Sequence, residues 1–226
     1  MDGTNVYAAT QNGLSISTNG GATFTTRDIA TGLGSRYVNR VYAVGSNVYA
    51  ATRAGLSVST NGGTTFTNRD FATGLQDKNV YDVFSVGSSI YAATENGLFI
   101  STNGGTTFTN TYPSDPTYKK VTGVYVDGEK IYVGYRGLAI STDGGATFTQ
   151  RTTLNGLGDN YSAGLFVSGS TVYVSGYKGL SISVDGGANF TNFTTSDGLG
   201  SNGVFGAHAS GSKVYVATSG GLAISK

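Results

Sequence analysis

Acidic side chains are the first candidates for chemistry in this sequence. Hydrolysis of a glycosidic bond needs two carboxylates held a few ångströms apart, one as an acid and the other as a base or nucleophile. The chain has 13 Asp and Glu residues, of which only Glu95 and Glu129 are Glu. Glu129 lies in a turn beside Asp127 and Lys130, where solvent exposure explains it, and Glu95 lies in another loop. Because the acidic residues are scattered mostly through turns, their spacing selects no catalytic pair.

The chain has few residues of the types that nucleophilic catalysis and metal binding require. It has no Cys and a single His, so Cys–His pairs, thiolate ligands and His-based zinc sites are not expected. We interpret the ring of His208 as filling a slot that other repeats give to aromatic residues, at Tyr42, Phe84, Tyr125 and Phe166. The alternative is a functional ligand or base. The Gly-Gly turns lead into strands instead of helices, unlike phosphate-binding loops. We therefore predict no catalytic residues, no metal and no cofactor.

The overall composition favours short strands joined by tight turns. Gly accounts for 36 of 226 residues, with 15 Tyr and 11 Phe but only two Pro. The formal net charge of +1 gives no electrostatic basis for binding nucleic acid or an anionic membrane. No segment approaches the ~20 consecutive apolar residues of a membrane span. We therefore expect neither a nucleic-acid partner nor membrane insertion.

An internal repeat organises the whole sequence. Gly-Leu pairs recur with steps of 42, 42, 40, 42 and 42 residues, at Gly13, Gly55, Gly97, Gly137, Gly179 and Gly221. An aromatic residue after a Gly-Gly turn keeps the same steps, at Phe24, Phe66, Phe108, Phe148 and Phe190. Residues 5–46 and 47–88 agree at 28 of 42 positions without a gap. The chain therefore consists of copies of one structural unit.

Each unit contains four short β-prone segments, here labelled A to D. In the second copy they cover residues 40–44, 48–52, 55–59 and 65–69. Short turns rich in Gly and Asn connect them, which predicts a four-stranded antiparallel meander. Apolar side chains occupy both faces of strand B, so such a sheet must pack against a neighbour on each side. Four strands in about 42 residues are typical of β-propeller blades, whereas the competing fold, a β-solenoid, uses shorter parallel coils.

The number of blades follows from counting the strands. We predict an all-β protein with a single propeller domain over residues 1–226, built from units 5–46, 47–88, 89–129, 130–170, 171–212 and a partial unit 213–226. Strands B and C occur six times but A and D only five times, so five blades would leave one hairpin over. We favour six blades, the first and the last incomplete, because an unpacked hairpin loses its apolar contacts whereas three-stranded blades only expose edges. Exposed edges are templates for pairing, so self-association through the incomplete terminal blades is also expected.

The turn between strands C and D has a recurring sequence. It reads Ser-Thr-Asn-Gly-Gly-Ala-Thr-Phe over residues 17–24 and recurs from Ser59, Ser101, Ser141 and Ser183. It resembles the Asp-box of bacterial-neuraminidase-type repeats, Ser-x-Asp-x-Gly-x-Thr-Trp, found in sialidases, sortilin-like receptors, some glycoside hydrolases and photosystem assembly factors. Phe replaces Trp throughout and Asn replaces Asp in three copies, while Asp143 and Asp185 keep the acid. A short acceptor side chain can bond the turn N–H groups, and Gly supplies positive φ. The resemblance implies a structural turn located away from any ligand.

The rest of the repeat resembles the propellers of two-component regulators. The resemblance rests on Asp-Gly-Leu-Gly-Ser-Asn at 197–202, Val-Tyr-Val-Ala-Thr at 214–218 and Gly-Leu at 221–222. Both resemblances imply the fold, which serves many unrelated functions, and favour an extracellular or periplasmic location. Sialidases need an arginine triad, a Tyr nucleophile with a Glu partner and an Asp acid/base. Nothing resembles their N-terminal Arg motif, and no Tyr or Arg nearby in the sequence marks Glu95, so we expect no enzyme activity.

The copies differ mainly in two sets of connections. The A–B and C–D turns are nearly uniform, whereas the D–A connections and B–C turns vary in charge and aromatic content. Alternate turns of a meander lie at the same end of a sheet, so these variable loops are expected on one face of the ring. Tyr, Arg and Lys suit both sugar stacking and protein interfaces. The candidate binding residues are Arg36, Tyr37, Arg53, Lys78, Glu95, Tyr118, Lys119, Tyr135, Arg136, Tyr161, Tyr177 and Lys178.

Within this set, Tyr135-Arg136 and Tyr177-Lys178 are the strongest candidates, because an aromatic–cation pair recurs in two B–C turns. Three functions remain open: a non-catalytic module that binds a protein, a lectin with sugar pockets between blades, and a bare scaffold or amplified or engineered repeat array with no evolved ligand. A lectin is expected to reuse its pocket residues in each blade for avidity. The near-identical positions here instead look structural, so we favour the binding module, with an unidentified protein or glycan as partner.

Overall fold

The computed structural model describes residues 4–112 and 119–225 of the chain. The chain separates into two compact units, Met1–Val121 and Thr122–Lys226. It is an all-β propeller of six blades, and each unit contributes three antiparallel sheets. Four blades have four strands and two have three. The residues described contain short 3₁₀ turns but no α-helix.

The N-terminal unit contains blades 1 to 3, each a meander whose strands pair in chain order. Blade 1 consists of β1 (Val6–Thr10), β2 (Gly13–Ser17) and β3 (Thr25–Arg27). Blade 2 consists of β4 (Val38–Val44), β5 (Asn47–Thr52), β6 (Gly55–Ser59) and β7 (Thr67–Arg69). Blade 3 consists of β8 (Val80–Val86), β9 (Ser89–Thr94), β10 (Gly97–Ser101) and β11 (Thr109–Tyr112).

The C-terminal unit contains blades 4 to 6 with the same arrangement. Blade 4 consists of β12 (Gly123–Asp127), β13 (Lys130–Gly134), β14 (Leu138–Ser141) and β15 (Thr149–Arg151). Blade 5 consists of β16 (Gly164–Ser168), β17 (Thr171–Gly176), β18 (Gly179–Ser183) and β19 (Thr191–Phe193). Blade 6 consists of β20 (Val204–Ser210), β21 (Lys213–Thr218) and β22 (Gly221–Ile224).

The two three-stranded blades are the first and the last. Within residues 4–112 and 119–225, blade 1 has strands B, C and D but no strand A, and blade 6 has A, B and C but no strand D. This arrangement confirms the prediction of six blades with incomplete ends. A propeller of five blades would have left one B–C hairpin without a sheet. In the structure, the B–C hairpins of blades 1 and 6 each pair with a third strand.

The boundaries of strands A and D differ from those predicted. In blade 2, strand A begins at Val38 instead of residue 40, because the strand continues past an irregularity between Val38 and Arg40 and Val38 pairs with Thr52 of β5. Strand D begins at Thr67 instead of residue 65. The backbone N–H of Thr65 is bonded to the side chain of Asn61, so Thr65 still belongs to the turn.

A 3₁₀ turn that the sequence analysis missed follows strand D in four of the connections. It covers Ile29–Thr31, Phe71–Thr73, Thr153–Asn155 and Thr195–Asp197. In the first of these, Asp28 accepts a hydrogen bond from the N–H of Ala30, and Thr31 closes a reciprocal capping box. Gly32 then ends the turn in the left-handed region at φ 94°. The signal was present as Asp/Thr followed by Thr/Asn/Asp three residues later and then by Gly-Leu.

The C–D turn is held by its own side chains, as its chemistry predicted. Ser17 accepts from the N–H of Gly21 at 2.9 Å and donates to Asn19 at 2.8 Å. Asn19 accepts from the N–H of Thr23 at 3.0 Å and donates through its Nδ2 to the Thr23 hydroxyl at 2.8 Å. Asp143 makes the equivalent bonds in blade 4, except that the Thr147 hydroxyl now donates to the carboxylate at 2.6 Å. Asn and Asp are therefore interchangeable here because both accept from the turn.

Neighbouring blades pack through two different faces. The front face of a blade carries the B-strand Tyr and the Leu and aliphatic residue of strand C, as in Tyr7, Leu14 and Ile16. The rear face carries the B-strand Val and Ala and the Phe after the C–D turn. In the N-terminal unit, the front face of blade 1 forms one cluster with the rear face of blade 2, which includes Val48 and Phe66. In the C-terminal unit, blades 4 and 5 repeat this packing.

We predict that Gly63→Ala destabilises the protein much more than Gly62→Ala. Both glycines have positive φ, 84° and 69°, so each substitution incurs left-handed strain of about 1–2 kcal/mol. A Cβ at Gly63 would also collide with Cδ1 of Ile16 on the front face of blade 1, whereas one at Gly62 meets nothing within 4 Å. Overpacking adds about 1–3 kcal/mol. Urea denaturation midpoints measure the difference, and equal midpoints would contradict the packing described here.

A second prediction concerns acid stability. Hydrogen bonds from Thr147 and Ser141 lower the pKa of Asp143 to about 2 from 3.8. A depressed pKa stabilises the native state above the unfolded value of ~3.9, and this stabilisation disappears as the pH falls towards 2. Asp143→Asn removes the titration, so its thermal midpoint should fall less than that of the wild type between about pH 4 and about pH 2. The reciprocal control, Asn61→Asp, should fall more. The prediction fails if all three proteins show the same pH dependence.

Candidate functional site

In the N-terminal unit, two predicted binding residues meet at the loop end of blade 2. Tyr37 precedes strand β4, and Arg53 lies in the turn between β5 and β6. The N–H of Arg53 donates to the carbonyl of Tyr37 at 3.2 Å. The guanidinium carbon of Arg53 lies 4.8 Å from the centroid of the Tyr37 ring, a cation–π contact. Both side chains are exposed. A D–A loop and a B–C turn therefore combine into one polar–aromatic surface.

A second group lies at the same end of blade 3. The hydroxyl of Tyr81 donates to the carboxylate of Glu95, and Lys120 Nζ lies 3.8 Å from Glu95 Oε2. Lys120 Nζ also lies 4.4 Å from the centroid of the Tyr81 ring. Glu95 was predicted, but Tyr81 and Lys120 were missed. Tyr81 was detectable, because it aligns with Asn39 in the preceding repeat and so occupies a variable position beside the loops.

In this group the phenol of Tyr81 contacts both a negative charge, on Glu95, and a positive charge, on Lys120. Burial, and then the hydrogen bond to Glu95, raise the pKa of Tyr81 above its ordinary value of 10.0, while the positive charge of Lys120 opposes the rise. The phenol is therefore protonated at neutral pH and acts as a donor to Glu95. Sialidases use a Tyr nucleophile with a Glu partner, together with an arginine triad. In this group the Tyr–Glu pair is in contact with Lys120 instead of with an arginine triad.

Side chains link the loop ends of blades 2 and 3. Asn39 Nδ2 donates to the carbonyl of Val80 at 2.7 Å and to Asn79 Oδ1 at 3.2 Å. Arg40 Nε lies 3.4 Å from Asp82 Oδ1, and the Asp82 carboxylate is buried. These bonds hold the two groups as one surface. We call it the N-terminal loop patch, composed of Tyr37, Arg53, Tyr81, Glu95 and Lys120.

In the C-terminal unit, the equivalent positions of blade 5 carry two tyrosines. Tyr161 corresponds to Tyr37 and Tyr177 to Arg53, each 124 residues later. Their rings stack with centroids 4.6 Å apart and planes 7° apart, and Tyr177 is 59% exposed. Lys178 is exposed beside them, and its carbonyl accepts from Asn192 Nδ2 at 2.8 Å. These three residues, Tyr161, Tyr177 and Lys178, form the C-terminal loop patch.

The pair Tyr135-Arg136 is not equivalent to Tyr177-Lys178, which corrects the sequence alignment of these turns. Leu138 pairs with Gly134 in blade 4, with three residues between them, whereas the equivalent Leu180 pairs with Ser175 in blade 5, with four residues between them, so the connection in blade 4 is one residue shorter. Tyr135 consequently takes the inward position and is only 4% exposed. Arg136 is exposed and adopts a φ of 42° to close the short turn. Tyr135 supports the loop end, and its ring is not part of the surface.

The remaining predicted residues divide between backbone and surface positions. The carbonyls of Arg36 and Lys78 accept from the N–H groups of Gly13 and Gly55, at 2.7 Å and 2.6 Å, which joins each loop to the preceding blade. Their side chains are exposed, and that of Arg36 lies 3.8 Å from Asp28. Lys119 is exposed next to Lys120. Tyr118 lies outside the described residues.

The structure adds no further support for a catalytic or metal-binding role of His208 or of the acidic residues that it describes. The centroid of the His208 ring lies 4.7 Å from that of Phe166, which supports the aromatic-slot interpretation. Within residues 4–112 and 119–225, no group of three or more His, Cys, Asp or Glu side chains is placed to hold a metal ion. In the same ranges, no helix is long and apolar enough to cross a membrane.

Comparisons with known proteins identify the fold without a family. No family model and no curated protein matches the chain. Among solved structures, it is similar to the extracellular domain of a candidate one-component system of B. thetaiotaomicron, at 16% identity and a TM-score of 0.77 over 100% of this chain and 32% of that one. An ancestral GH74 enzyme gives 20% identity and a TM-score of 0.73 over 96% of this chain and 33% of that one.

A third similar structure is YCF48 from Cyanidioschyzon merolae, at 15% identity and a TM-score of 0.67, covering 99% of this chain and 79% of that one. The chain spans about one third of the length of the first two proteins, 32% and 33%. At these identities the likeness shows the propeller fold alone, because such folds serve many functions.

We predict that the pKa of Tyr81 reports on the charges of the N-terminal loop patch. Glu95→Gln removes the negative charge and should move the pKa of Tyr81 down towards 10.0, whereas Lys120→Met should raise it. Lys119→Met, one residue away, is the control and should leave it unchanged. Ring-carbon NMR of the tyrosines, with Tyr81→Phe for assignment, measures the shift. An unchanged pKa in Glu95→Gln would show that Tyr81 and Glu95 are apart in solution.

Proposed function

We propose that this protein is a non-catalytic binding module that recognises its partner through the N-terminal and C-terminal loop patches. The observation that carries the proposal is the stacked pair Tyr161–Tyr177, which holds an exposed aromatic ring at the end of a rigid sheet. An exposed apolar ring held in one orientation loses little conformational entropy on binding and offers a large contact area. Such residues dominate the energies of protein interfaces.

The distribution of sequence variation supports the same proposal. Ser17, Asn19 and their equivalents are needed for the turns that hold each blade, so these positions repeat from copy to copy. The loop patches are free of this requirement and differ between blades, with Tyr–Arg, Tyr–Glu–Lys and Tyr–Tyr–Lys groups. Varied loops on a uniform scaffold are the usual arrangement of a recognition surface.

The differences between the patches favour a protein partner over a repeated small ligand. A lectin that gains avidity from multiple sites would present similar groups in successive blades. Here a cation–π pair, a phenol–carboxylate–ammonium group and a tyrosine stack occupy related positions. Sugar binding remains the second candidate because of one observation: the exposed ring of Tyr177 offers the flat apolar surface on which the C–H face of a sugar can stack.

We further propose an extracellular or periplasmic location and a role in sensing. The similar structures include the extracellular domain of a candidate one-component system, and this chain corresponds to about a third of its length, 32%. We assign the Ser-x-Asn/Asp-Gly-Gly turns, which resemble Asp-boxes, to a structural role. Their side chains are engaged in bonds within the turn.

The proposal is tested by screening the purified chain against a glycan array and a displayed peptide library. Each hit is then measured against Tyr177→Ala and Tyr37→Ala, with Val184→Ala as the control, because Val184 is exposed in a C–D turn at the opposite end of its blade. Loss of a hot-spot aromatic should weaken binding by about tenfold or more, while the control should not. Hits confined to sugars would support the lectin. Hits unaffected by both tyrosine variants, or a folded protein with no hits on either array, would contradict recognition through the loop patches.

A further inference from the structure

The junction between blades 1 and 2 and the junction between blades 4 and 5 follow the same packing rule. The aliphatic side chain of strand C on a front face fits against the second glycine of the next C–D turn. Ile16 contacts the position that a Cβ on Gly63 would occupy, and Ile140 Cδ1 lies 2.5 Å from the corresponding position at Gly187. A Phe covers the same aliphatic group, as Phe66 does for Ile16. We call this second glycine of the C–D turn the glycine seat. The glycine seat, the Phe and the aliphatic side chain are all buried in this contact.

The front face of blade 6 presents this aliphatic group to solvent. Leu222 is 66% exposed and Ile224 is 52% exposed, whereas their equivalents Leu14 and Ile16 in blade 1 are 0% and 5% exposed. Tyr215 on the same face is exposed as well. The opposite face of blade 6, with Val216, is buried against blade 5. Blade 6 therefore has a complete apolar front face that is not covered.

The rear face of blade 1 presents the complementary half. Phe24 is 49% exposed, whereas the equivalent Phe66 of blade 2 is 7% exposed. A Cβ at Gly21 would meet only Phe24 and Val6, each at 4.0 Å, and no aliphatic side chain from another blade. Val6 is half-buried, whereas the equivalent Val48 is fully buried. The glycine seat and its Phe are thus present without an occupant.

We propose that the front face of blade 6 binds the rear face of blade 1 of a second copy of this chain. Every copy carries both halves of a junction that the chain already uses between its own blades. Ile224 would enter the seat at Gly21 and pack on Phe24, as Ile16 does at Gly63 and Phe66. The inference does not depend on what the loop patches bind.

The chemistry of the two faces favours a second copy over an unrelated partner. Both faces are apolar. The equivalent faces already pack against each other between blades 1 and 2 and between blades 4 and 5. Because the two faces differ, each contact is head-to-tail, so association leads to closed rings or to open chains of copies. From the sequence we expected association through unpaired strand edges, whereas the exposed side chains of Leu222, Ile224 and Phe24 favour association through the blade faces.

The test is a mixing experiment by sedimentation velocity, with far-UV circular dichroism to check folding. The wild type should gain mass as its concentration rises. The front-face variant Leu222→Asp/Ile224→Asp and the rear-face variant Phe24→Asp should each remain monomeric alone. An equimolar mixture should form a one-to-one dimer and nothing larger, because only one intact front face and one intact rear face remain.

Two further variants keep the result interpretable. Val184→Asp changes an exposed apolar residue of a C–D turn that lies on neither face, and it should associate like the wild type. If an aspartate variant does not fold, Leu222→Ala/Ile224→Ala should still shift association to higher concentration. A wild type that is monomeric at every concentration, or folded variants whose mixture forms no dimer, would overturn the proposal.

Discussion

The packing of blade 1 on blade 2, and of blade 4 on blade 5, depends on the contact between an aliphatic side chain of one blade and the second glycine of the next C–D turn. A four-stranded meander of this length has apolar groups on both faces, so it cannot bury them within itself. The fit of Ile16 at Gly63 beneath Phe66 shows how two sheets solve this problem together. The repeat length, the Gly-Gly turn and the aromatic after it all serve this contact. A Cβ at Gly63 would collide with Cδ1 of Ile16, so a residue larger than glycine there would force the Ile or the sheet to move.

Local hydrogen bonding makes that contact possible by fixing the chain before and after it. The Ser–Asn or Ser–Asp network holds the C–D turn, and the capped 3₁₀ turn directs the chain from strand D towards the next blade. Both networks are satisfied by neighbours in sequence, so they place no demand on the side chains of the B–C turns or of the residues that follow the 3₁₀ turn in each D–A connection. That freedom explains why Tyr37 and Arg53 in one blade can become Tyr161 and Tyr177 in another without a change of fold.

The candidate site was only partly visible from the sequence. Comparison of the repeats found Tyr37, Arg53 and Glu95 as variable loop residues, but it gave no contacts between them. Tyr81 was missed because it lies within strand β8, two residues after the loop, and only the folded sheet turns its hydroxyl towards Glu95. Tyr135 was misplaced because a turn shortened by one residue changes which side chain points inward, and this is set by strand pairing.

The sequence by itself determined the repeat, the four-strand unit, the six blades with incomplete ends and the chemistry of the C–D turn. These features depend on spacing, on positive φ at glycine and on hydrogen bonds between residues fewer than six positions apart, all of which a linear pattern records. Only the tertiary structure decided which loop residues meet, which tyrosines are exposed and which blade faces are left uncovered. Those properties arise from contacts between residues about 14 to 47 positions apart, whose distances depend on strand register and on how each sheet packs against the next.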